Sequence, residues 1–332
     1  MRILPTLLLV VSSGCISSPG GGAVDAAGGG ADLGTEVGVT PRDMEASEDT
    51  DLVADIGRTD MQLDQGGSVD LGIPDQGVAR RLVNSTQTFL TQMGPGMTSV
   101  NVTLSHTINE NQVVPFFSKS ADPEAGVHIS NLMVDVAVQD SETLVFSRRG
   151  GQGTVKIEGS LVEFGDGARV QRGVFELGAS ETVDSRMVDT LDTSRAFLVF
   201  WQQGTIDVVN KRDQFARGTL GTQVVEFDRG GGGGAVSGHY WVVESLNDQF
   251  SVQQANLELA NGVDEMSAMV GPYDRANTFF LWSARTNLAQ TAPRNIHGHC
   301  TTGAVREVVC ARRASNGSVQ FHAQAVTFGD MT

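Results

Sequence analysis

Cysteine is scarce in this chain, three in 332 residues, and aromatic side chains make up only 6% of it. No apolar run is long enough to cross a bilayer as a helix; the N-terminal one, Ile3 to Val11, falls far short of the roughly 20 residues a span needs. Basic residues are also few, 23 against 39 acidic ones, giving a formal net charge of −16. A duplex repels such a surface and finds nothing on it to displace its counterions, so a nucleic-acid partner is not expected. Catalytic signatures are missing too: no G-x-S-x-G elbow, Cys-His pairing signal or H-E-x-x-H helix occurs, and the six histidines are scattered. These absences leave a non-enzymatic protein of two or three small globular units with no cofactor.

Glycine, by contrast, is abundant at 40 residues, which with few aromatics favours short strands and turns. Beyond residue 80 the chain also repeats itself. The stretch Arg169–Leu177, RVQRGVFEL, returns as Ser251–Leu259, SVQQANLEL, and a weaker echo, VNSTQTFL, begins at Val83. Phe197 has its counterpart in Phe279, and Val162 in Val243 and Val326. A period near 82 residues found three times means one supersecondary unit built three times. The expected units are residues 81–165, 166–246 and 247–332.

Residues 16–80 lack aromatics and any apolar periodicity, and carry thirteen acidic against three basic residues. Such a segment buries too little surface to offset its conformational entropy, so a disordered acidic linker is expected. Asp-x-Gly recurs within it, at Asp32, Asp55, Asp64, Asp70 and Asp75, but without the alternate ligands and closing Glu of an EF-hand loop. Residues 1–15 read as a secretory signal. The ending Ser12-Ser13-Gly14-Cys15 resembles the bacterial lipobox, with Ser12 where that family usually carries Leu. The resemblance implies acylation of Cys15, a membrane anchor and a periplasmic or cell-surface location; ordinary cleavage near Ser13 is the alternative. Lipidating Cys15 leaves Cys300 and Cys310 at the ends of consecutive expected strands. They are an even pair in an oxidising compartment, read either as a disulfide or as two free buried thiols.

Within the second unit, six strands are expected: Val170–Leu177, near Thr182–Val188, Ala196–Gln202, near Phe215–Leu220, Gln223–Phe227 and Val236–Ser245. Turn signals separate them, among them Asp192-Thr193, Asn210-Lys211 and the run Gly230 to Gly234. That run lacks the Lys-Ser/Thr ending of a phosphate loop and reads as a hairpin connector, as does Gly150-Gly151-Gln152-Gly153. Six antiparallel strands in about 80 residues give the expected fold class: all-β, three tandem six-stranded β-sandwich repeats after the linker. In the last strand Val236, Gly238, Tyr240 and Val242 alternate with Ser237, His239 and Trp241, so burial on one face is expected.

The unit resembles the H-type lectin domain, a six-stranded antiparallel sandwich opening on V-Q-x-G and closing on an alternating strand with an aromatic. Val170-Gln171-Arg172-Gly173 matches the opening; the third unit keeps only Val252-Gln253, and the first has lost both Gln and Gly. The closing aromatic survives as Tyr240, with Gly159 and Ala323 in its place elsewhere. The resemblance implies trimer-like packing and binding of sugars, N-acetylgalactosamine among them, in grooves between units.

Two sets of residues are the candidate ligand contacts. Arg148, Arg229 and Arg312 recur at the end of the fifth strand. They either form cross-strand ion pairs with Glu163 and Glu244 or line grooves between units. Trp241 beside His239 lies on the outward face of the last strand, as a recognition surface or as packing against a neighbour. His297-Gly298-His299 has the spacing of a metal clip but no further ligands, so no metal is expected. The function these residues support is non-catalytic binding or adhesion, with glycans as the leading ligand class and an envelope protein as the alternative partner.

Overall fold

A computed structural model describes residues 81–122, 133–205, 211–287, 298–304, 306–312 and 316–329. The expected signal, the acylation at Cys15, the linker 16–80 and His297 lie outside the described residues. Among the described residues, eighteen strands fall into three sets of six. The first is β1 (Val83–Met93), β2 (Ser99–Thr103), β3 (Val113–Asp122), β4 (Asp135–Asp140), β5 (Thr143–Ser147) and β6 (Thr154–Phe164). The second is β7 (Ala168–Leu177), β8 (Val183–Met187), β9 (Ala196–Gly204), β10 (Arg217–Leu220), β11 (Val224–Asp228) and β12 (Val236–Ser245). The third is β13 (Phe250–Leu259), β14 (Glu265–Met269), β15 (Thr278–Thr286), β16 (Gly298–Thr302), β17 (Glu307–Arg312) and β18 (Val319–Phe328). Strands of the second set lie within two residues of the places their alternation and turn signals predict.

Each set makes two antiparallel three-stranded sheets. One has the order first, sixth, third (β1-β6-β3, β7-β12-β9, β13-β18-β15), the other second, fifth, fourth (β2-β5-β4, β8-β11-β10, β14-β17-β16). The apolar sides of the two sheets meet, so the architecture is sandwich-like. In the second set Phe175 stacks on Phe227 at 3.9 Å between ring centroids, and Phe200 meets Phe227 edge-on at 5.2 Å. Cys300 and Cys310 sit directly opposite on β16 and β17 and are joined by a disulfide.

Sequence differences among the copies follow packing volume. On the buried ladder Phe89 faces Gly159, Gly173 faces Tyr240 and Ala255 faces Ala323. A Cβ on Gly173 would lie 2.5 Å from the Tyr240 hydroxyl. The glycine of the V-Q-x-G stretch is therefore the partner of the aromatic, and in the first set the large and small members have exchanged strands. Interiors packed at crystal density conserve the sum of the pair more strictly than either residue.

The expectation that the last strand is buried on one face fails for β12. Its outward residues Trp241 and Val243 are as deeply buried as its inward ones. They belong to an apolar cluster shared by all three sets, whereas Phe175, Tyr240 and Val242 belong to the second set's own core. A neighbouring set covers this second face. Every pair of sets touches through aromatic rings: Phe117 stacks on Trp201 at 3.7 Å, Phe197 meets Phe279 at 5.9 Å, and Phe116 meets Phe279 at 6.4 Å. A linear stack would lack the last contact, which joins first and third sets.

Candidate functional site at the seams between strand sets

At two of the seams an edge strand of one set lies against another set. Edge strands present unpaired backbone groups, and burying them requires partners. At the seam of second and third sets, β9 supplies the edge. The Leu198 N–H donates to Gln324 Oε1 at 2.8 Å, and Gln324 Nε2 donates to the Leu198 carbonyl at 3.0 Å. Nearby, the Gly218 N–H donates to Ser283 Oγ at 3.1 Å. At the seam of first and second sets, Pro115 takes the place of Leu198. Proline has no N–H to satisfy, and its carbonyl accepts from Trp201 Nε1 at 3.0 Å. Trp241, equivalent to Gln324, then has no backbone to clamp; its Nε1 finds no acceptor among the described residues.

His239 is placed by the same seam. Its backbone N–H donates to Asp135 Oδ1 at 3.1 Å, and its Nδ1 lies 2.8 Å from Asp135 Oδ2. The carboxylate is buried and the imidazole about one-third exposed. Arg149 Nη2 donates to Ser237 Oγ at 3.2 Å just beyond. His239 and Trp241 do share a face, with ring centroids 6.3 Å apart, but the Trp241 side chain is 1% exposed. It is interface packing and offers no open ring to a ligand. This corrects its assignment as a recognition surface; period-two alternation reports which side of a strand a residue occupies, and a neighbouring set covered that side.

Both readings of the three arginines are overturned. Glu244 is held by Arg169, with Nη2 2.6 Å from Oε2, and by the Asp192 N–H; Glu163 accepts from Ser85 and the Asn109 N–H. Arg148, Arg229 and Arg312 are instead buried and donate to main-chain carbonyls. In each set the guanidinium reaches the turn between first and second strands: Gly94 and Met97, Gly178 and Glu181, Ala260 and Val263. In the first two sets it also reaches the glycine-rich turn, at Gln152 and Gly153, and at Gly234. A guanidinium is suited to this because its five donors form a rigid planar fork. Burial lowers the pKa of all three below the ordinary arginine value. They tie turns together inside each set and are not available to line a groove.

The glycine-rich turn does act as a connector, and glycine is needed there for close approach as well. A Cβ on Gly230 would fall 1.7 Å from the Thr286 carbonyl of the third set.

The seam of second and third sets also holds charge. Asp228 takes Arg217, with Nη2 2.7 Å from Oδ2, and Arg285 of the third set, with Nη1 2.9 Å from the same oxygen. His322, equivalent to His239, is buried alongside, its Nδ1 3.0 Å from Asn256 Oδ1 and its Nε2 without a partner among the described residues. Burial first, and the Arg217 charge second, push its pKa down to about 4 from 6.5. The unfolded chain therefore binds more protons than the folded one between these values, and stability is lost as pH falls from about 6.5 towards 4. The full effect is about 3 kcal/mol. Thermal melts across that range should show wild type losing more stability than His322→Gln; parallel profiles would mean that His322 is already solvated.

Among the described residues no group of three or more His, Cys, Asp or Glu side chains is placed to hold a metal ion. Asp135, Arg217 and Gln324, which organise the seams, carry no motif. Only the Pro115 in an apolar strand signals an edge in advance. Comparison with protein-family models gave no match, and comparison with curated proteins gave none either.

Proposed function

We propose that the chain is a non-catalytic binding or adhesion protein, made of three tandem six-stranded β-sandwich repeats at residues 81–165, 166–246 and 247–332 and anchored through lipid on Cys15. Carbohydrate is the ligand class, taken up at a seam between repeats. The observation that carries this reading is the mutual packing of the three strand sets, in which Phe279 meets both Phe116 and Phe197. Three copies about a common apolar centre create pseudo-equivalent seams. These bring polar side chains of different copies together, as Asp135 and His239 are. Convergent polar groups over an apolar floor suit a ligand that is polar at its edge and apolar on its face. Two or three acyl chains, each buried methylene contributing roughly 0.8 kcal/mol, would hold the protein stably at a periplasmic or cell-surface membrane.

The detergent-solubilised full chain, applied to a glycan array, is expected to bind a restricted set of sugars, and palmitate labelling of the same preparation is expected to depend on Cys15. An array with no sugar above background, together with capture of one envelope protein at constant stoichiometry, would favour a structural protein-interaction module instead.

A further inference from the structure

Two of the seams carry a histidine at the same place in their ladders, His239 on β12 and His322 on β18. The positions opposed to them also correspond. Asp135 and Arg217 pair with Ser147 and Asp228, the residues just before two of the buried arginines. Between the two seams the charge at that position is reversed. His239 meets a carboxylate, with Nδ1 2.8 Å from Asp135 Oδ2, and its ring is about one-third exposed. His322 is opposed by the guanidinium charge of Arg217 and is 2% exposed. Its Nδ1–H donates to Asn256 Oδ1 at 3.0 Å, which leaves Nε2 as a bare acceptor without a partner among the described residues.

The other charges around His322 do not offset a proton on it. Arg217 of β10 and Arg285 of β15 bind the same oxygen of Asp228 on β11, two cations on one carboxylate. On β13 the acid is Glu258, exposed and accepting from Gln320, whose Oε1 takes Arg285. Arg212 and Asp213, in the short turn Lys211–Asp213 beside β15, pair with each other. On β17, behind β18, Arg312 donates to carbonyls and Glu307 accepts from the Ala304 N–H. A protonated His322 therefore adds charge to a site already one positive in excess, and buries an Nε2–H with no acceptor. Water is the nearest relief, and a small cavity at this seam, lined by Leu198, Trp201, Leu281, Trp282, Ser283 and Gln324, gives it a way in. We propose that the seam between second and third sets is an acid-loosened latch: protonation of His322 separates β18 from β10 and frees the edge of β9, while the seam between first and second sets holds because Asp135 neutralises its histidine. Phe197 and Phe279, which also join second and third sets, bind no proton, so the opening is local. Burial holds His322 at a pKa of about 4 in the closed seam, and an open seam returns it to water and towards its ordinary 6.5. Opening is favoured as pH falls through this interval and reversed as it rises.

The test is amide hydrogen exchange on the full chain, resolved by residue, at about pH 7.5 and about pH 5, with rates corrected for their intrinsic pH dependence. Three amides donate across the seams: Leu198 to Gln324, Gly218 to Ser283, and His239 to Asp135. Leu198 and Gly218 are expected to be less protected than the central strand β11, and to lose roughly a further tenfold or more on acidification. The His239 amide is expected to keep its protection. His322→Gln cannot take up a proton and should abolish the fall. Asn256→Asp places a carboxylate at the exposed partner of Nδ1 and should abolish it too; it is the deciding variant if His322→Gln does not fold. Leu198 and Gly218 protected as strongly as β11 and falling with it would mean that acid acts only by unfolding the whole chain, which overturns the latch. Protection at Leu198 and Gly218 that ignores pH overturns it as well, and so does a fall that persists in either variant.

Discussion

Replacing Trp241 by alanine is expected to destabilise the protein by about 3–5 kcal/mol, the range for truncating a fully buried large aromatic. For a folded region of this size that corresponds to a fall in melting temperature of roughly 10 °C. The ring is 1% exposed and belongs to the apolar cluster common to all three strand sets, with Arg172 and Val199 as its cross-strand neighbours. Alanine would leave a cavity at the junction of first and second sets, where two rigid sheets cannot collapse far. Trp241→Phe is expected to recover most of the loss, since the indole N–H makes no hydrogen bond among the described residues and only packing is reduced. Thermal and denaturant melts decide the matter. A melting temperature within a degree of wild type for the alanine variant would show that this ring is free in solution.

Arg229→Ala is expected to cost as much or more, about 3–5 kcal/mol, because a buried guanidinium and the carbonyls it serves are lost as a group. Arg229 donates to the carbonyls of Gly178, Glu181, Asp213 and Gly234, drawing three separate turns together. Alanine leaves four acceptors without their donor and opens space that water must fill. Lysine keeps the charge, but its compact ammonium has three donors and cannot span the same fork, so Arg229→Lys is expected to fall between alanine and wild type. Arg148 holds the corresponding turns of the first set and Arg312 the turn between first and second strands of the third, so both variants should lose stability in the same direction. The sugar binding we propose, measured on refolded or low-temperature samples, should be retained in all three variants. Lost binding with an unchanged melting temperature would reinstate these arginines as ligand contacts.

The equivalence of the three arginines was legible from their recurrence before a glycine-rich turn, but their partners were not. Main-chain carbonyls have no sequence signature, whereas Glu163 and Glu244 are visible as acids, and the visible partner was the wrong one. The disulfide was legible because its two cysteines fall on consecutive strands in register, so adjacency along the chain nearly became adjacency in space. Trp241 and His239 were correctly placed on one face, and the environment of that face was the part that alternation could not supply.

The sequence by itself indicated an all-β protein with a period near 82 residues, and where the strands of the second set run. Those properties depend on interactions between neighbours in the chain and on the two-residue period of a strand. Only the tertiary structure decided what lies outside each sheet: that Trp241 and Gln324 are buried at seams between strand sets. These outcomes depend on contacts between residues far apart in the chain, 126 positions for Leu198 and Gln324 and more for Phe116 and Phe279. No local pattern encodes such a separation, because the covering surface is chosen only when three folded copies meet.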